Sequence, residues 1–211
     1  MRRLFIFIFL LVNILGYGQN EILYSHLFVN FDSIIITENE FKTLDKFPLV
    51  YLNSFSLEKI KSYSFYEASN RSVDFLSELS IFSDEERIIF TENFQIYVLG
   101  RTFNKYCTEI NSYFFLVKSI NLITGYEDRL YMLNFQNNYL RSIINVYNQS
   151  YLGGLITNIN SKIIDDSPWY ISLQFETSYY FDDSTGEERQ PVILDPIKIV
   201  ANTGQVNVAS N

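Results

Sequence analysis

Alternating apolar and polar residues predict a β-hairpin at the centre of the chain. Two runs rich in β-branched and aromatic residues, 129–135 and 139–149, flank Asn137-Asn138. Asparagine tolerates a positive φ, so this pair predicts a two-residue turn, with Phe135 opposite Leu140 and Arg141 on the other face. In that register, one apolar face of the hairpin consists of Leu133, Phe135, Leu140, Ile144 and Val146.

The second half of the chain repeats this pattern of short apolar runs separated by turn residues. Strands are predicted at 95–101, 113–122, 129–135, 139–149, 155–164, 169–181, 192–200 and 205–209, with a turn at 165–168. The connections are too short for the helical crossovers of a parallel sheet, so the pattern predicts an antiparallel meander. A sandwich, a barrel and a partial propeller are all compatible with it.

The first half has a mixed character. A strand is predicted at 21–29, a helix at 38–46 from the capping pattern of Thr37 and Glu40, a helical turn at 56–60 and a short strand at 63–66. The predicted fold class is therefore α+β, mainly β. A helical and strand region at 19–93 is expected to form one compact domain with an antiparallel region at 94–211.

The first 18 residues have the features of a signal peptide. Arg2 and Arg3 precede an apolar run, and Gly16 and Gly18 predict cleavage before Gln19. The run is shorter than the roughly 20 residues of a membrane-spanning helix, so stable membrane insertion of the mature chain is not expected. The Phe/Ile-rich leader ending in Gly-Gln resembles signal peptides of secreted proteins from the Bacteroidota. This resemblance implies a periplasmic or extracellular protein. No cysteine lies near the predicted cleavage site, so a lipoprotein is not expected.

Composition narrows the possible partners. The net charge is −8, and removal of Arg2 and Arg3 with the leader would make it −10, which argues against nucleic acid as a partner. The hydrophobic fraction of 47% is enough for a sizeable core. Cys107 is the only cysteine, so an intrachain disulfide is excluded and a buried, inert thiol is expected.

Recognisable catalytic motifs are missing from the sequence. His26 is the only histidine, which excludes most metal sites and leaves any catalytic dyad or triad dependent on one residue. No G-x-S-x-G, Walker or dinucleotide-binding motif occurs. We therefore assign no catalytic, cofactor-binding or metal-ligating residue and expect no cofactor.

Two acidic segments are candidates for calcium binding. The loop from Asp182 to Glu188 offers oxygen atoms of the kind that bind Ca²⁺, but its spacing is not that of an EF-hand and Arg189 follows it. We interpret it, like Asp165-Asp166, as turn chemistry without tightly bound calcium. A glycosidase needs only two suitably spaced carboxylates, and 24 acidic residues do not identify a pair.

Aromatic residues are candidates for ligand contacts, and three short motifs are candidates for glycosylation. The sequence contains 16 tyrosines, 19 phenylalanines and one tryptophan, Trp169, which lies beside Tyr170. Most of these aromatic residues should fill the core and the edges of the sheet, whereas any exposed ones could stack on sugars or contact a protein. Asn70 and Asn148 begin N-glycosylation sequons. Asp32-Ser33-Ile34 resembles a short O-glycosylation motif used on exported Bacteroidota proteins.

These features predict an exported soluble protein. A non-catalytic binding or structural module in the periplasm or at the cell surface is expected, with an unidentified protein or glycan as partner. One alternative is an exported hydrolase that acts on glycans through carboxylates. Another is an outer-membrane β-barrel, although the polar C-terminus and the capped helical region are atypical of one.

Overall fold

The computed structural model describes residues 27–31, 47–50, 54–67, 94–103, 109–121, 125–152, 155–181 and 192–208. In this part of the chain, twelve strands form one sheet and a short helix accompanies them. The predicted helix at 38–46 and the predicted leader lie outside the described residues.

Most strands occur where the sequence pattern predicts them. In chain order they are β1 Phe28–Asn30, β2 Ser54–Phe55, β3 Tyr66–Glu67, β4 Phe94–Phe103, β5 Ile110–Asn121, β6 Gly125–Gln136, β7 Tyr139–Leu152, β8 Leu155–Asp166, β9 Tyr170–Phe181, β10 Val192–Ile193, β11 Ile197–Val200 and β12 Val206–Val208. The single strand predicted at 192–200 is wrong, since Leu194 to Pro196 separate β10 from β11. Proline has no N–H to donate to a strand ladder, which accounts for the interruption at Pro196.

The sheet is an antiparallel meander through its central strands, as predicted. The strand order is β12-β11-β9-β8-β7-β6-β5-β4-β3, while β1 pairs with β7, β2 with β8 and β10 with β9. The pairings between these strands are antiparallel. The mainly β, antiparallel fold class is therefore confirmed.

A separation between β7 and β8 allows the sheet to fold over itself. These strands pair only where residues 148–152 face residues 155–159. Beyond that point, β1 occupies the edge of β7 at Ser142 to Ile144, and β2 occupies the edge of β8 at Ser161 and Lys162. Side chains of β5 to β7 can then pack against side chains of β9, β11 and β12.

This packing forms the first of two hydrophobic cores. Its central contact joins Phe55 of β2 to Phe114 of β5, whose ring centroids lie 5.4 Å apart. The buried members of the first core are Leu27, Phe55, Ile60, Leu99, Ile110, Phe114, Leu116, Leu130, Met132, Ile144, Val146, Tyr147, Ile171, Leu173, Phe175, Leu194, Ile197, Ile199, Ala201 and Val206.

A second core covers the opposite face of β4 to β7. Tyr113 and Phe135 meet edge to face there, with ring centroids 5.5 Å apart, and Phe47 packs against Tyr113. Its buried members are Ile96, Val98, Tyr113, Phe115, Val117, Tyr131, Leu133, Phe135, Leu140 and Ile143. Both faces of β5 and β6 are therefore buried along much of their length.

The predicted turn of the central hairpin is correct, but the register beyond it is wrong. Asn137 and Asn138 have φ values of 52° and 69°, and Phe135 pairs with Leu140 as expected. The register then shifts between Asn134 and Phe135, because Arg141 is an extra residue on β7.

A second shift makes Val146 another extra residue on β7. Because of the first extra residue, Arg141, Leu133 pairs with Ile143 instead of Ser142, and Met132 pairs with Ile144. Ile144 and Val146 belong to the first core, so they do not share a face with Leu133 and Phe135 of the second core. The predicted single apolar face is therefore divided between two cores.

A buried polar chain connects these strands to the β11–β12 turn. Ser112 Oγ donates to Asn134 Oδ1 at 2.7 Å, and Asn134 Nδ2 donates to Ser142 Oγ at 3.1 Å. Ser142 Oγ donates in turn to the carbonyl oxygen of Gly204 at 2.8 Å. Gly204 has a φ of 68°, and a Cβ there would lie 2.8 Å from the Arg141 side chain. A side chain at this position would therefore be strained and crowded.

The helical turn predicted at 56–60 is present as α1, Leu57–Ser62. It begins after Ser56, whose carbonyl oxygen accepts from the N–H of Ile60 at 2.8 Å. Ile60 is buried in the first core, which anchors this short helix. Among the described residues, no helix combines the length and apolar character needed to cross a membrane.

Candidate functional site

Alternation along β8 turns a row of polar side chains away from the first core. Ile159 and Ile163 pack against that core, whereas Lys162 is exposed and Asn160 is half-buried. Successive strand residues point to opposite faces, so Asn160 and Lys162 share the outer face of β8.

The neighbouring strand β9 continues this polar surface. Leu173 and Phe175 of β9 are fully buried, so Gln174 and Glu176 point to the opposite face. The strand register pairs Lys162 with Gln174 and Asn160 with Glu176. Four polar side chains therefore form a compact block on two adjacent strands.

Two short strands border the block and make it concave. Ser54 of β2 pairs with Lys162, and Ile193 of β10 pairs with Glu176. With Ser56 before α1, they border a cleft of about 250 Å³. We call this space the β8–β9 cleft, and its six outward polar residues are Ser54, Ser56, Asn160, Lys162, Gln174 and Glu176.

The polar side chains of the β8–β9 cleft make no hydrogen bond or ion pair with the residues that the structure describes. Lys162 and Glu176 lie on adjacent strands, yet no ion pair joins them. By contrast, Ser161 points inward and donates to the carbonyl oxygen of Val146 at 2.6 Å. The donors and acceptors of the cleft therefore have no partner in the described part of the chain.

The described residues of the cleft include both hydrogen-bond donors and hydrogen-bond acceptors, and one of these residues is an acid. Its hydroxyl and amide groups donate and accept, Lys162 donates and the Glu176 carboxylate accepts. Hydrolysis by two carboxylates requires a second acid about 5–10 Å away. Glu176 is the only acid among the described residues that line the cleft.

The predicted acidic turn Asp165-Asp166 is instead part of β8, which ends at Asp166. Tyr170 Oη donates to Asp165 Oδ2 at 3.0 Å. This hydrogen bond and the charge of Asp165 raise the pKa of Tyr170. Lys198 Nζ lies 4.6 Å from the Tyr170 ring centroid, and Trp169 in the following turn is 75% exposed. Trp169 is therefore an exposed aromatic residue, but it does not line the cleft.

A mostly buried ion pair lies on β6. Arg129 Nε is 2.7 Å from Glu127 Oε1, and Arg129 Nη1 donates to Tyr131 Oη at 3.3 Å. Burial lowers the pKa of Arg129, but the charges of Tyr131 and Glu127 and the hydrogen bonds to both outweigh it. The pKa of Arg129 therefore lies above its ordinary value. This pair joins side chains of a single strand, and we interpret it as structural.

The Asn148 sequon lies inside β7. Asn148 is 8% exposed, and its Nδ2 donates to Glu127 Oε1 at 3.2 Å. A glycan could not be attached to this buried amide in the folded protein.

Several other candidates lie outside the described residues. They are His26, Asp32-Ser33-Ile34, Asn70, Cys107 and the acidic loop from Asp182 to Glu188. Within the described ranges, no group of three or more His, Cys, Asp or Glu side chains is placed to hold a metal ion.

Comparisons of the chain with protein-family models, with curated proteins and with solved structures gave no match. The β8–β9 cleft is therefore the feature from which we infer a function. Its residues form no recognisable motif. The visible signal is the alternation of Asn158, Asn160 and Lys162 with apolar or small residues, which predicts a strand with one polar face. Only the pairing with β9, β2 and β10 turns that face into a cleft.

Proposed function

We propose that the protein is an exported, non-catalytic binding module whose β8–β9 cleft binds a glycan. The observation that carries this proposal is the set of six polar side chains that converge on the cleft with no hydrogen-bond partner among the described residues. A ligand rich in hydroxyl groups could satisfy donors and acceptors together, because each hydroxyl both donates and accepts.

The composition of the cleft favours a glycan over a protein partner. Protein–protein interfaces are depleted in Lys, Glu and Ser and enriched in aromatic residues. The six polar residues of the cleft include Lys162, Glu176, Ser54 and Ser56. Ile193, 63% exposed at the border, offers an apolar surface for the C–H face of a sugar ring.

Glu176 is the one carboxylate that the described residues place in the cleft, which favours binding without catalysis. An exported hydrolase would need a second acid facing Glu176 across the ligand. No other Asp or Glu in the part of the chain that the structure describes lines the cleft. Release of shortened glycan products by the purified protein would favour the hydrolase and contradict this part of the proposal.

Export is supported by the leader pattern of residues 1–18. We expect the secreted chain to begin at Gln19, and intact-mass measurement or N-terminal sequencing of the exported protein would establish its first residue. Retention of residues 1–18 in the mature protein would contradict the cleavage.

A glycan array followed by calorimetric titration tests the binding proposal. The secreted chain should bind at least one oligosaccharide on the array. A Lys162→Ala/Gln174→Ala double variant should bind it about tenfold more weakly or worse, because a lost hydrogen bond to a charged group alone costs about 1.5–3 kcal/mol.

Arg101→Ala is the matched control for this experiment. It removes a positive charge at an exposed position on β4, far along the strand order from the cleft. Its affinity should equal that of the wild type. Absence of binding across the array, or equal affinity of the double variant and the wild type, would contradict the proposal.

A further inference from the structure

The outer face of β8 continues beyond the cleft. No register shift interrupts β8 between Leu155 and Ile163 in its pairing with either neighbour. Ile156, Asn158, Asn160 and Lys162 therefore share one face of the strand. At about 3.3 Å per residue, this row extends about 20 Å from Ile156 to Lys162.

A stacked pair of tyrosines lies at the far end of this row. Tyr151 of β7 pairs with Ile156 of β8 on one side and with Tyr126 of β6 on the other. The two tyrosine rings are nearly parallel, with an interplanar angle of 18° and ring centroids 6.2 Å apart. Tyr126 is 42% exposed, so part of its ring is open to solvent.

Polar side chains fill the interval between the tyrosines and the cleft. Gln149 pairs with Asn158 on one side and with Asp128 on the other. Lys118 forms an ion pair with Asp128 at 3.5 Å. Asn158 is half-buried, and its side chain makes no hydrogen bond with the described residues. The face therefore presents an unbroken polar row that ends at an aromatic surface.

We propose that the glycan is an extended chain that lies along β8, with one end in the β8–β9 cleft and a more distant sugar ring stacked on Tyr126. This inference rests on the proposed function and adds the length of the ligand and a second contact. Aromatic rings bury a flat apolar surface at low entropic cost, which suits the C–H face of a sugar.

The same face is poorly suited to a peptide. Extended peptides bind by adding a strand to an unpaired sheet edge. One edge of β8 is occupied by β7 and then β2, and the other edge is occupied by β9. A ligand on this face would meet side chains and no free backbone groups of β8, which favours a hydroxyl-rich chain.

A length series tests the extended site. The probes are cello-, xylo-, manno- and chito-oligosaccharides from disaccharide to hexasaccharide, titrated into the secreted chain. In the series that binds, affinity should rise with length. With Tyr126→Ala, affinity should no longer rise with length. The longest oligosaccharides should bind this variant about threefold to tenfold more weakly than the wild type, and the disaccharide should bind both proteins equally.

Two further variants make the result specific. Tyr126→Phe keeps the ring and should keep the gain with length, while Tyr66→Ala removes an exposed tyrosine from edge strand β3 and should change nothing. Equal affinity of Tyr126→Ala and wild type at every length, or an equal loss at every length, would overturn the extended site. If Lys162→Ala/Gln174→Ala still weakened binding, the cleft proposal would survive. Absence of binding to every probe and on the array would overturn both.

Discussion

The side-chain amide of Asn30 hydrogen-bonds to both backbone groups of Val206. Asn30 Nδ2 donates to the Val206 carbonyl oxygen at 3.0 Å, and Asn30 Oδ1 accepts from the Val206 N–H at 2.8 Å. The amide thereby takes the place of a strand ladder between β1 and β12. Because β1 also pairs with β7, this one side chain connects the last strand of the sheet to its centre.

Asn30→Ala should lower the free energy of unfolding by about 1–2 kcal/mol, because it removes the partners of two backbone groups of the buried Val206. Asn30→Asp keeps the acceptor but places a carboxylate oxygen against the Val206 carbonyl oxygen, so it should also destabilise the fold. Asn207→Ala, at an exposed position on β12, should stay within about 0.5 kcal/mol of the wild type. Chemical denaturation measures all three variants. Equal stability of Asn30→Ala and Asn207→Ala would show that the amide bridge does not stabilise the fold.

The two bulges on β7 predict that adjacent isoleucines are both essential for stability. Ile143 is 1% exposed in the second core, and Ile144 is fully buried in the first core. Ile143→Ala and Ile144→Ala should each cost about 2–5 kcal/mol, out of a total stability of about 5–15 kcal/mol for a typical domain. Denaturation midpoints provide the measurement, with Arg101→Ala as a surface control. A small effect of either isoleucine variant would mean that one face of the hairpin is open to solvent.

This burial on both faces explains what the sequence could and could not predict about the hairpin. The turn was predictable because Asn137 and Asn138 tolerate positive φ. The bulges at Arg141 and Val146 were not, because neither residue differs in type from an ordinary strand residue. The Asn134 face contains a hydrogen-bonded polar chain inside the protein, and the polarity of its residues alone does not distinguish such a chain from a solvent-facing surface.

The candidate site was predictable only as a strand pattern. Alternation around Asn160 and Lys162 indicates an outward polar face, but the pairing of these residues with Glu176 and Gln174 depends on long-range register. The border formed by Ser54 depends on β2, a two-residue strand with no distinctive pattern. Trp169, the only tryptophan in the sequence, was a candidate for stacking on a sugar, yet it lies in a turn outside the cleft.

Burial of Tyr147 should make the fold less stable at alkaline pH. Burial, followed by the charges of Asp128 and Tyr126, raises the pKa of Tyr147 above its ordinary value of 10.0. Above pH 10.0 the tyrosine ionises more readily in the unfolded chain, which therefore binds fewer protons than the folded chain. Stability contributed by this group is present below pH 10.0 and is lost as the pH rises toward the pKa of the folded state.

Tyr147→Phe removes this ionisation while keeping the buried ring. Its free energy of unfolding should decline less steeply than that of the wild type as the pH rises above 10.0. Denaturation curves at neutral pH and at several alkaline values provide the comparison. Parallel declines in the two proteins would contradict a role for Tyr147.

The position of a bound glycan tests directly whether the β8–β9 cleft is the binding site. Backbone amide chemical shifts of the isotope-labelled secreted chain should be followed while the best oligosaccharide from the array is added. We expect the largest shift changes at Asn160, Lys162, Gln174 and Glu176, on the two strands that form the cleft. Shift changes concentrated at the Trp169 turn, or absent from β8 and β9 at saturating glycan, would contradict it.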